Sequence, residues 1–163
     1  MNRAFEDGQL HIIKCINKFL EAHLKEGRDI AMLDVGISDG VVANRVCSAL
    51  NTKRIALYGV DLSENPENNL IYEGSNVKSF EFVKSNIDPC TLPYESEKFD
   101  VVYSNQVIEH MIYKDHFIEE CYRVLKRGGL CVLSTENIAS IDNLMCLMVG
   151  QDPLVQHTST KVV

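Results

Sequence analysis

The sequence lacks three features that would each define a class of protein. No apolar run reaches the ~18 residues that a membrane-spanning helix needs. The amino terminus, MNRAFEDGQL, carries acidic side chains and no apolar stretch, so we expect no secretory leader. Basic residues are not in excess, because 16 lysines and arginines stand against 23 acidic residues, a net charge of -7. We therefore expect neither a nucleic-acid partner nor a membrane span.

Motifs for metal binding are also missing. A zinc site needs closely spaced ligands, and the sequence contains no C-x-x-C pair. We therefore expect no metal. Scattered thiols in apolar surroundings are typical of free cysteines in a reducing compartment, which predicts a cytoplasmic protein. The cysteines are Cys15, Cys47, Cys90, Cys121, Cys131 and Cys146.

The length and composition fit a single globular domain. The chain has 163 residues, and its hydrophobic fraction of 45% and charged fraction of 24% are close to the average of soluble proteins. A domain of this size buries roughly two thirds of the surface of its unfolded chain. We divide residues 1–163 into an N-terminal helix at 1–27, a core at 28–150 and a tail at 151–163, with no repeat or linker.

Helical and extended patterns alternate along the core. Apolar residues at helical spacing predict helices, and short apolar runs predict strands, except that residues 78–83 are predicted from alternating apolar and polar side chains. The predicted helices cover residues 8–26, 40–50, 115–126 and 139–149. The predicted strands cover residues 30–35, 54–60, 78–83, 99–104 and 130–135. We expect Gly27 to stop the first helix and Gly128-Gly129 to end the third.

This order of elements predicts an α/β fold. Strands that alternate with helices form a doubly wound, mostly parallel sheet with helices on both faces, which is a three-layer αβα arrangement. The sheet would have about five strands. Ligands of such sheets bind outside the carboxyl ends of the strands, so the turns after the strands are the candidate site.

The turn LDVGISDG, residues 33–40, contains the pattern G-x-S-x-G at Gly36, Ser38 and Gly40. In a hydrolase this pattern places a serine nucleophile on a sharp turn between a strand and a helix. Acidic residues and histidines do follow Ser38 in the required order. However, the oxyanion hole needs an earlier strand, and only one helix precedes Ile30. The position of the turn therefore disfavours a hydrolase.

A nicotinamide-dependent oxidoreductase is a second alternative. Its fingerprint, G-x-G-x-x-G, is broken at Ser38 and again at Val41. Asp61, at the end of the second predicted strand, would fit a ribose hydroxyl of such a cofactor. The glycine turn and Asp61 alone therefore do not exclude a nicotinamide-dependent oxidoreductase.

Four blocks in register resemble the class I S-adenosylmethionine-dependent methyltransferases, in the branch that methylates small molecules. They are LDVGISDG at 33–40, GVDLS at 59–63, LPYESEKFDVVYSNQVIEHM at 92–111 and LKRGGLCVLSTEN at 125–137. The resemblance spans residues 8–150. It implies a Rossmann-like fold, S-adenosylmethionine as cofactor with S-adenosylhomocysteine as product, and methyl transfer to a small-molecule or glycan-precursor acceptor. A non-catalytic cofactor-binding module or an inactive fragment is the alternative.

The resemblance implies roles for the residues of the first block. Asp34 would help to hold the methionine amino group, often through water. Gly36 and Gly40 would let the backbone approach the cofactor closely. Ser38 stands where the family usually has a middle glycine, and we expect the serine to be tolerated if its backbone need not adopt a positive φ.

Further roles follow from the next blocks. Asp61 would accept hydrogen bonds from the ribose diol, and Leu62 would lie against the adenine. Asn86 and Ile87 would meet the adenine amino group and ring, with Asp88 as the rival because the register of that loop is uncertain.

The block after the fourth strand would serve the reacting end of the cofactor. Asn105 and Gln106 would line the methionine end. His110 would act as a general base, with a purely structural role as the alternative.

The chain departs from the family at its carboxyl end. The family's sheet usually has seven strands, and the last two form a hairpin beside the fifth. Only about a dozen residues follow Gly150, so we expect this hairpin to be missing and strand 130–135 to be an open edge. The sequence would then be a fragment, a shortened protein, or a chain whose edge is covered by another, which includes self-association. The missing part usually builds the acceptor pocket, so cofactor binding is better supported than turnover.

Overall fold

A computed structural model describes residues 3–23, 28–63, 76–88, 91–137 and 139–152. Its elements follow the predicted order, and the predicted stop at Gly27 lies outside the described residues. The helices are α1 (Arg3–His23), α2 (Val41–Ser48), α3 (Lys114–Val124) and α4 (Ile141–Met148), and a 3-10 turn covers Ile108–His110. The strands are β1 (Ile30–Val35), β2 (Ile55–Asp61), β3 (Val77–Lys84), β4 (Phe99–Asn105) and β5 (Leu125–Ser134).

The five strands form one parallel sheet in the order β3-β2-β1-β4-β5. The chain builds outward from β1 through β2 to β3, then returns to the other side of β1 with β4 and β5. The strand order therefore reverses between β1 and β4, which is where sheets of this kind bind ligands. The predicted α/β fold is confirmed.

Helices cover both faces of the sheet. On one face, α1 and α2 pack against side chains such as Met32 of β1. On the other face, α3 packs Phe117 and Cys121 against Leu33 of β1 and Val102 of β4. Met32 and Leu33 are neighbours that point to opposite faces, and both are fully buried. This burial on both sides explains why the strands read as continuous apolar runs.

The prediction that Gly128-Gly129 ends the third helix is wrong. Helix α3 ends at Val124, where Leu125 takes an extended backbone with φ -80 and ψ 135. Leu125 already pairs with Phe99 as the first residue of β5. Strand β5 therefore begins five residues before the predicted start, and the glycines lie inside it.

The two glycines produce an irregularity in β5. The register between β4 and β5 shifts between Phe99 and Val101. Gly128 has a φ of +75, and a Cβ on Gly129 would lie 2.9 Å from the carbonyl oxygen of Asp100. The glycines are required by a bulge that brings the two backbones close together, which is a use of glycine inside strands.

The surface of the described fold shows two further features. No helix within residues 3–23, 28–63, 76–88, 91–137 and 139–152 combines the length and apolar character of a membrane crossing. Among these same residues, β5 pairs with β4 on one side and with no strand on the other.

Candidate functional site

A cleft of about 580 Å³ lies at the carboxyl ends of β1, β2, β3 and β4. The turns after these four strands supply its walls. The cleft brings together every predicted site residue except Gly40: Asp34, Gly36, Ser38, Asp61, Leu62, Asn86, Ile87, Asn105, Gln106 and His110. Residues from four separate segments of the chain thus converge at the switch point of the sheet.

Gly40 lies in the turn that starts α2, outside the residues that line the cleft. Its φ is +82, its N–H donates to the carbonyl of Ile37 at 3.0 Å, and its own carbonyl accepts from the N–H of Asn44 at 2.9 Å. Gly40 therefore shapes the entry into α2, where a positive φ favours glycine.

Gly36 occupies a position that admits no side chain. Its φ is +85, and a Cβ would lie 2.4 Å from Cγ2 of Val107. Its N–H donates to the carbonyl of Val60 at 2.8 Å. The turn after β1 is therefore held against both β2 and the loop after β4.

Ser38 adopts a left-handed backbone, with a φ of +52. The condition under which we expected a serine to be tolerated is therefore not met. The N–H of Ser38 donates to Oδ2 of Asp61 at 2.8 Å. This charge-assisted hydrogen bond between two walls of the cleft offsets the strain at the serine.

We expect Ser38→Gly to raise the free energy of unfolding by about 1 kcal/mol, because glycine adopts a positive φ without strain. Ser38→Ala should leave stability within about 0.5 kcal/mol of the parent, since it retains the backbone bond to Asp61. Urea denaturation of the two variants checks this. A glycine variant less stable than the alanine variant would show that the left-handed backbone carries no strain.

Asp61 presents its carboxylate to the cleft from the end of β2. One oxygen, Oδ1, accepts from the N–H and Oγ of Ser63 at 2.9 and 2.8 Å, and the other accepts from Ser38. A carboxylate has about four acceptor positions, so a further hydroxyl donor can still be bound. The three existing bonds fix the orientation of the group.

Asp34 is a buried carboxyl at the floor of the cleft, with 2% of its surface exposed. The hydroxyl of Tyr103 donates to its Oδ2 at 2.7 Å. Burial raises the pKa of Asp34 to about 7, and the charge of Asp61 raises it too, while the bond from Tyr103 lowers it. Asp34 therefore titrates near neutral pH.

The loop after β3 carries the residues that the resemblance assigns to the adenine, with Asp88 as the alternative to Asn86 and Ile87. Asn86 and Ile87 line the cleft. Asp88 does not, because its carboxylate accepts from the N–H groups of Ile112 and Tyr113 at 2.8 and 3.1 Å. The placement of these side chains favours Asn86 and Ile87 over Asp88.

The loop after β4 is tied to the end of β5. Oδ1 of Asn105 accepts from Oγ of Ser134 at 2.7 Å, and the N–H of Gln106 donates to the carbonyl of Ser134 at 3.0 Å. Gln106 has a φ of +59. His110 closes the 3-10 turn and is exposed on the rim of the cleft.

Five lining residues are missing from the sequence-based predictions: Ile37, Asp39, Val42, Val107 and Met111. Asp39 had a signal, since an acidic residue before a helix often caps it, and its Oδ1 accepts from the N–H of Val41 at 3.1 Å. Ile37, Val107 and Met111 had none, because apolar side chains at loop positions give no periodic pattern, and Val42 reads as a core residue of α2.

The chemistry of the cleft suits a ligand with an amino group and hydroxyls. Three carboxyl groups, of Asp34, Asp39 and Asp61, and three side-chain amides line it. No lysine or arginine is found among the described residues that line it. A pyrophosphate-bearing nicotinamide cofactor would meet no cation here, whereas S-adenosylmethionine carries an ammonium, a ribose and no phosphate. The polar side chains of the cleft therefore fit S-adenosylmethionine.

Comparisons with known proteins agree with this fit. The family model described as a methyltransferase domain matches residues 33–133, more than half of the chain. A probable S-adenosylmethionine-dependent methyltransferase of Mycolicibacterium smegmatis is 30% identical over 116 residues, which cover 71% of this chain and 41% of that protein. A ubiquinone biosynthesis O-methyltransferase of Rickettsia bellii is 26% identical over 141 residues, covering 81% of this chain and 56% of that protein.

A solved structure shows the same fold. The DszA carbon methyltransferase superposes with a TM-score of 0.64 at 23% identity, over 92% of this chain and 40% of that chain. The chain spans about half the length of the curated relatives it matches. With its family match, its parallel sheet and its acidic cleft, the chain belongs to the class I S-adenosylmethionine-dependent methyltransferases.

Proposed function

We propose that this chain binds S-adenosylmethionine in the cleft and transfers its methyl group to a hydroxyl oxygen of a small molecule. The observation that carries the proposal is the convergence of Asp34 and Asp61 on one cleft, from the ends of two adjacent strands at the switch point. The membership of the chain in the methyltransferase family supports it.

Each wall of the cleft would hold one part of the cofactor. Asp34 would take the methionine amino group, and Asp61 would accept from the ribose hydroxyls. Leu62 would cover the adenine, and Asn86 with Ile87 would meet its edge. When bound, the cofactor supplies a methyl group on a sulfonium, which is already an activated electrophile. The protein therefore has to position the acceptor and exclude water.

The acceptor side of the proposal rests on His110 and on the relatives. A hydroxyl acceptor must lose a proton, and His110 stands exposed at the rim, where it could take that proton. Val107 and Met111 give this end of the cleft an apolar wall. The Rickettsia bellii relative is named an O-methyltransferase, which favours an oxygen atom as the methyl acceptor.

A cofactor-binding module without turnover is the second candidate, because the chain spans about half of its relatives. Such a module would bind the cofactor in the same cleft but would have no methyl acceptor. Self-association through the edge of β5, a cytoplasmic location and the absence of a nucleic-acid partner stay predictions of the sequence.

Isothermal titration with S-adenosylhomocysteine, with NADH as the control ligand, tests the cofactor. We expect micromolar binding of the first and none of the second. Turnover is then tested by mass spectrometry, as S-adenosylhomocysteine released from S-adenosylmethionine in the presence of a panel of phenols and alcohols. Binding without release across the panel would favour the binding module, and no binding by a folded chain would refute both candidates.

We expect Asp61→Ala to weaken S-adenosylhomocysteine binding by about 1–3 kcal/mol, the scale of a lost hydrogen bond to a charged group. Asp88→Ala is the matched control. It removes an aspartate that likewise accepts two backbone N–H groups in a neighbouring loop, but that lies outside the cleft. Equal affinities of the two variants in the same titration would show that Asp61 does not bind the ligand.

A further inference from the structure

Two cysteines face each other outside the cleft. Cys121 lies on α3 and is 1% exposed, whereas Cys131 lies on the edge strand β5 and is exposed. Cys131 pairs with Val102 of β4, so both side chains project from the same face of the sheet. This is the face that α3 covers, and Val102 and Cys121 belong to one buried cluster there. The two thiols lie close enough for each to shift the pKa of the other.

The two sulfurs differ in reactivity and in access. The hydrogen bond from Cys121 lowers the pKa of the Cys131 thiol. The same bond, burial and the neighbouring charge of Glu120 raise the pKa of Cys121. An exposed thiol whose pKa is lowered therefore stands beside a shielded thiol whose pKa is raised. This is the arrangement of an oxidisable cysteine with a resolving partner.

We propose that Cys131 and Cys121 form a dithiol oxidation site, in which a hydroperoxide oxidises Cys131 and Cys121 then closes a disulfide between β5 and α3. The site is separate from the cleft, since neither residue lines it.

The steps balance with hydrogen peroxide as the oxidant. The Cys131 thiolate attacks one peroxide oxygen, the O–O bond breaks, and the leaving hydroxide takes up the thiol proton as water. Cys131 is then a sulfenic acid, and the negative charge beside Cys121 is gone. The Cys121 sulfur loses its proton and attacks the Cys131 sulfur, the S–O bond breaks, and a second water leaves. Two thiols are oxidised by two electrons, and one peroxide is reduced to two waters.

The position of the pair allows the sulfurs to close. Among the described residues β5 has a strand neighbour on one side only. The bulge at Gly128-Gly129 lies between the two cysteines, and no atom lies within 4 Å of where a Cβ would stand on Gly128. Within the described residues, the strand that carries Cys131 is therefore held by a neighbouring strand from one side only.

The test follows the cross-link directly. The reduced full chain carrying Cys146→Ser is treated with hydrogen peroxide, blocked with iodoacetamide, digested with trypsin and analysed by mass spectrometry. We expect one disulfide, between the peptide DHFIEECYR and the peptide that begins with Gly128. Cys146→Ser is needed because Cys146 would otherwise share that second peptide. Cys131 should react roughly tenfold faster than Cys15, because the Cys131 thiol is exposed whereas Cys15 is partly buried.

Single variants separate the two roles. Cys131→Ser should abolish the cross-link, and Cys121→Ser should leave Cys131 as a sulfenic acid that dimedone traps. Cys15→Ser should change neither result. Oxidation of Cys131 no faster than Cys15, or a sulfenic acid on Cys131 that never proceeds to the disulfide in the chain that retains Cys121, would overturn the proposal. The cross-link assay on that chain decides the matter even if Cys121→Ser fails to fold.

Discussion

Gly36→Ala should destabilise the chain by about 4 kcal/mol and abolish S-adenosylhomocysteine binding. Two costs add at this position. The residue has a φ of +85, which costs a side chain about 1–3 kcal/mol. The new methyl group would also stand 2.4 Å from Cγ2 of Val107, so the turn or the loop after β4 must move. Either movement displaces walls of the cleft.

Gly128→Ala is the control that isolates the backbone cost. Its φ is +75, close to that of Gly36, but no atom lies within 4 Å of the added Cβ. We expect this variant to lose only about 1–2 kcal/mol of stability and to keep its cofactor affinity. The double variant Gly36→Ala/Val107→Ala should recover the part due to the clash. Guanidinium denaturation and titration calorimetry measure both effects, and equal losses in the two single variants would refute the role of Val107.

Asp34→Asn should make the chain more stable at pH 8, by about 2 kcal/mol, while removing most of its affinity for S-adenosylhomocysteine. The pKa of Asp34 is raised from 3.8 to about 7 in the folded protein. Between these two values the folded state holds a proton that the unfolded state has released. The free energy of unfolding of the parent therefore falls as the pH rises from about 4 to about 7, and stays low above that. Asp34→Asn has no titratable group at this position, so its free energy of unfolding lacks this dependence on pH.

The same titration should govern binding. The ionised carboxylate is the form that attracts an ammonium group, so the affinity of the parent for S-adenosylhomocysteine should rise as the pH increases through 7. Tyr103→Phe removes a hydrogen bond that lowers the pKa of Asp34, so it should move this rise to higher pH. Titrations between pH 6 and 8.5 measure it. A flat profile for the parent, or an unshifted one for Tyr103→Phe, would contradict the assignment of Asp34.

The sheet was predicted well because burial on both faces makes the central strands β1 and β4 largely apolar, while β3 is marked by alternating side chains. The predicted strand 30–35 coincides with β1, and the other strands before β5 differ from the prediction by at most one residue at either end. The glycines and the aspartates that end β1 and β2 mark turns by residue type alone. Most of the cleft could therefore be assigned from the residues that follow strands.

The misses have a different cause, which is packing between distant segments. Gly128-Gly129 has the local signal of a helix stop, but the pairing of β5 with β4 overrides it. The positive φ of Ser38 and of Gln106 has no local signal either, since neither residue type favours it. Each is imposed where a turn is bonded to a strand that is remote in sequence, to Asp61 in one case and Ser134 in the other.

The hydrogen bonds at the two ends of the cleft also differ in the length of chain that they close. The bond from Ser38 to Asp61 joins residues 23 apart, whereas the bond from Tyr103 to Asp34 joins residues 69 apart. Closing a longer loop costs more entropy. The bond between Ser38 and Asp61 can therefore form in a folding chain that has paired only β1 with β2. The bond to Asp34 requires β4 to dock, so a ligand bound in the cleft would selectively stabilise chains in which β4 lies beside β1.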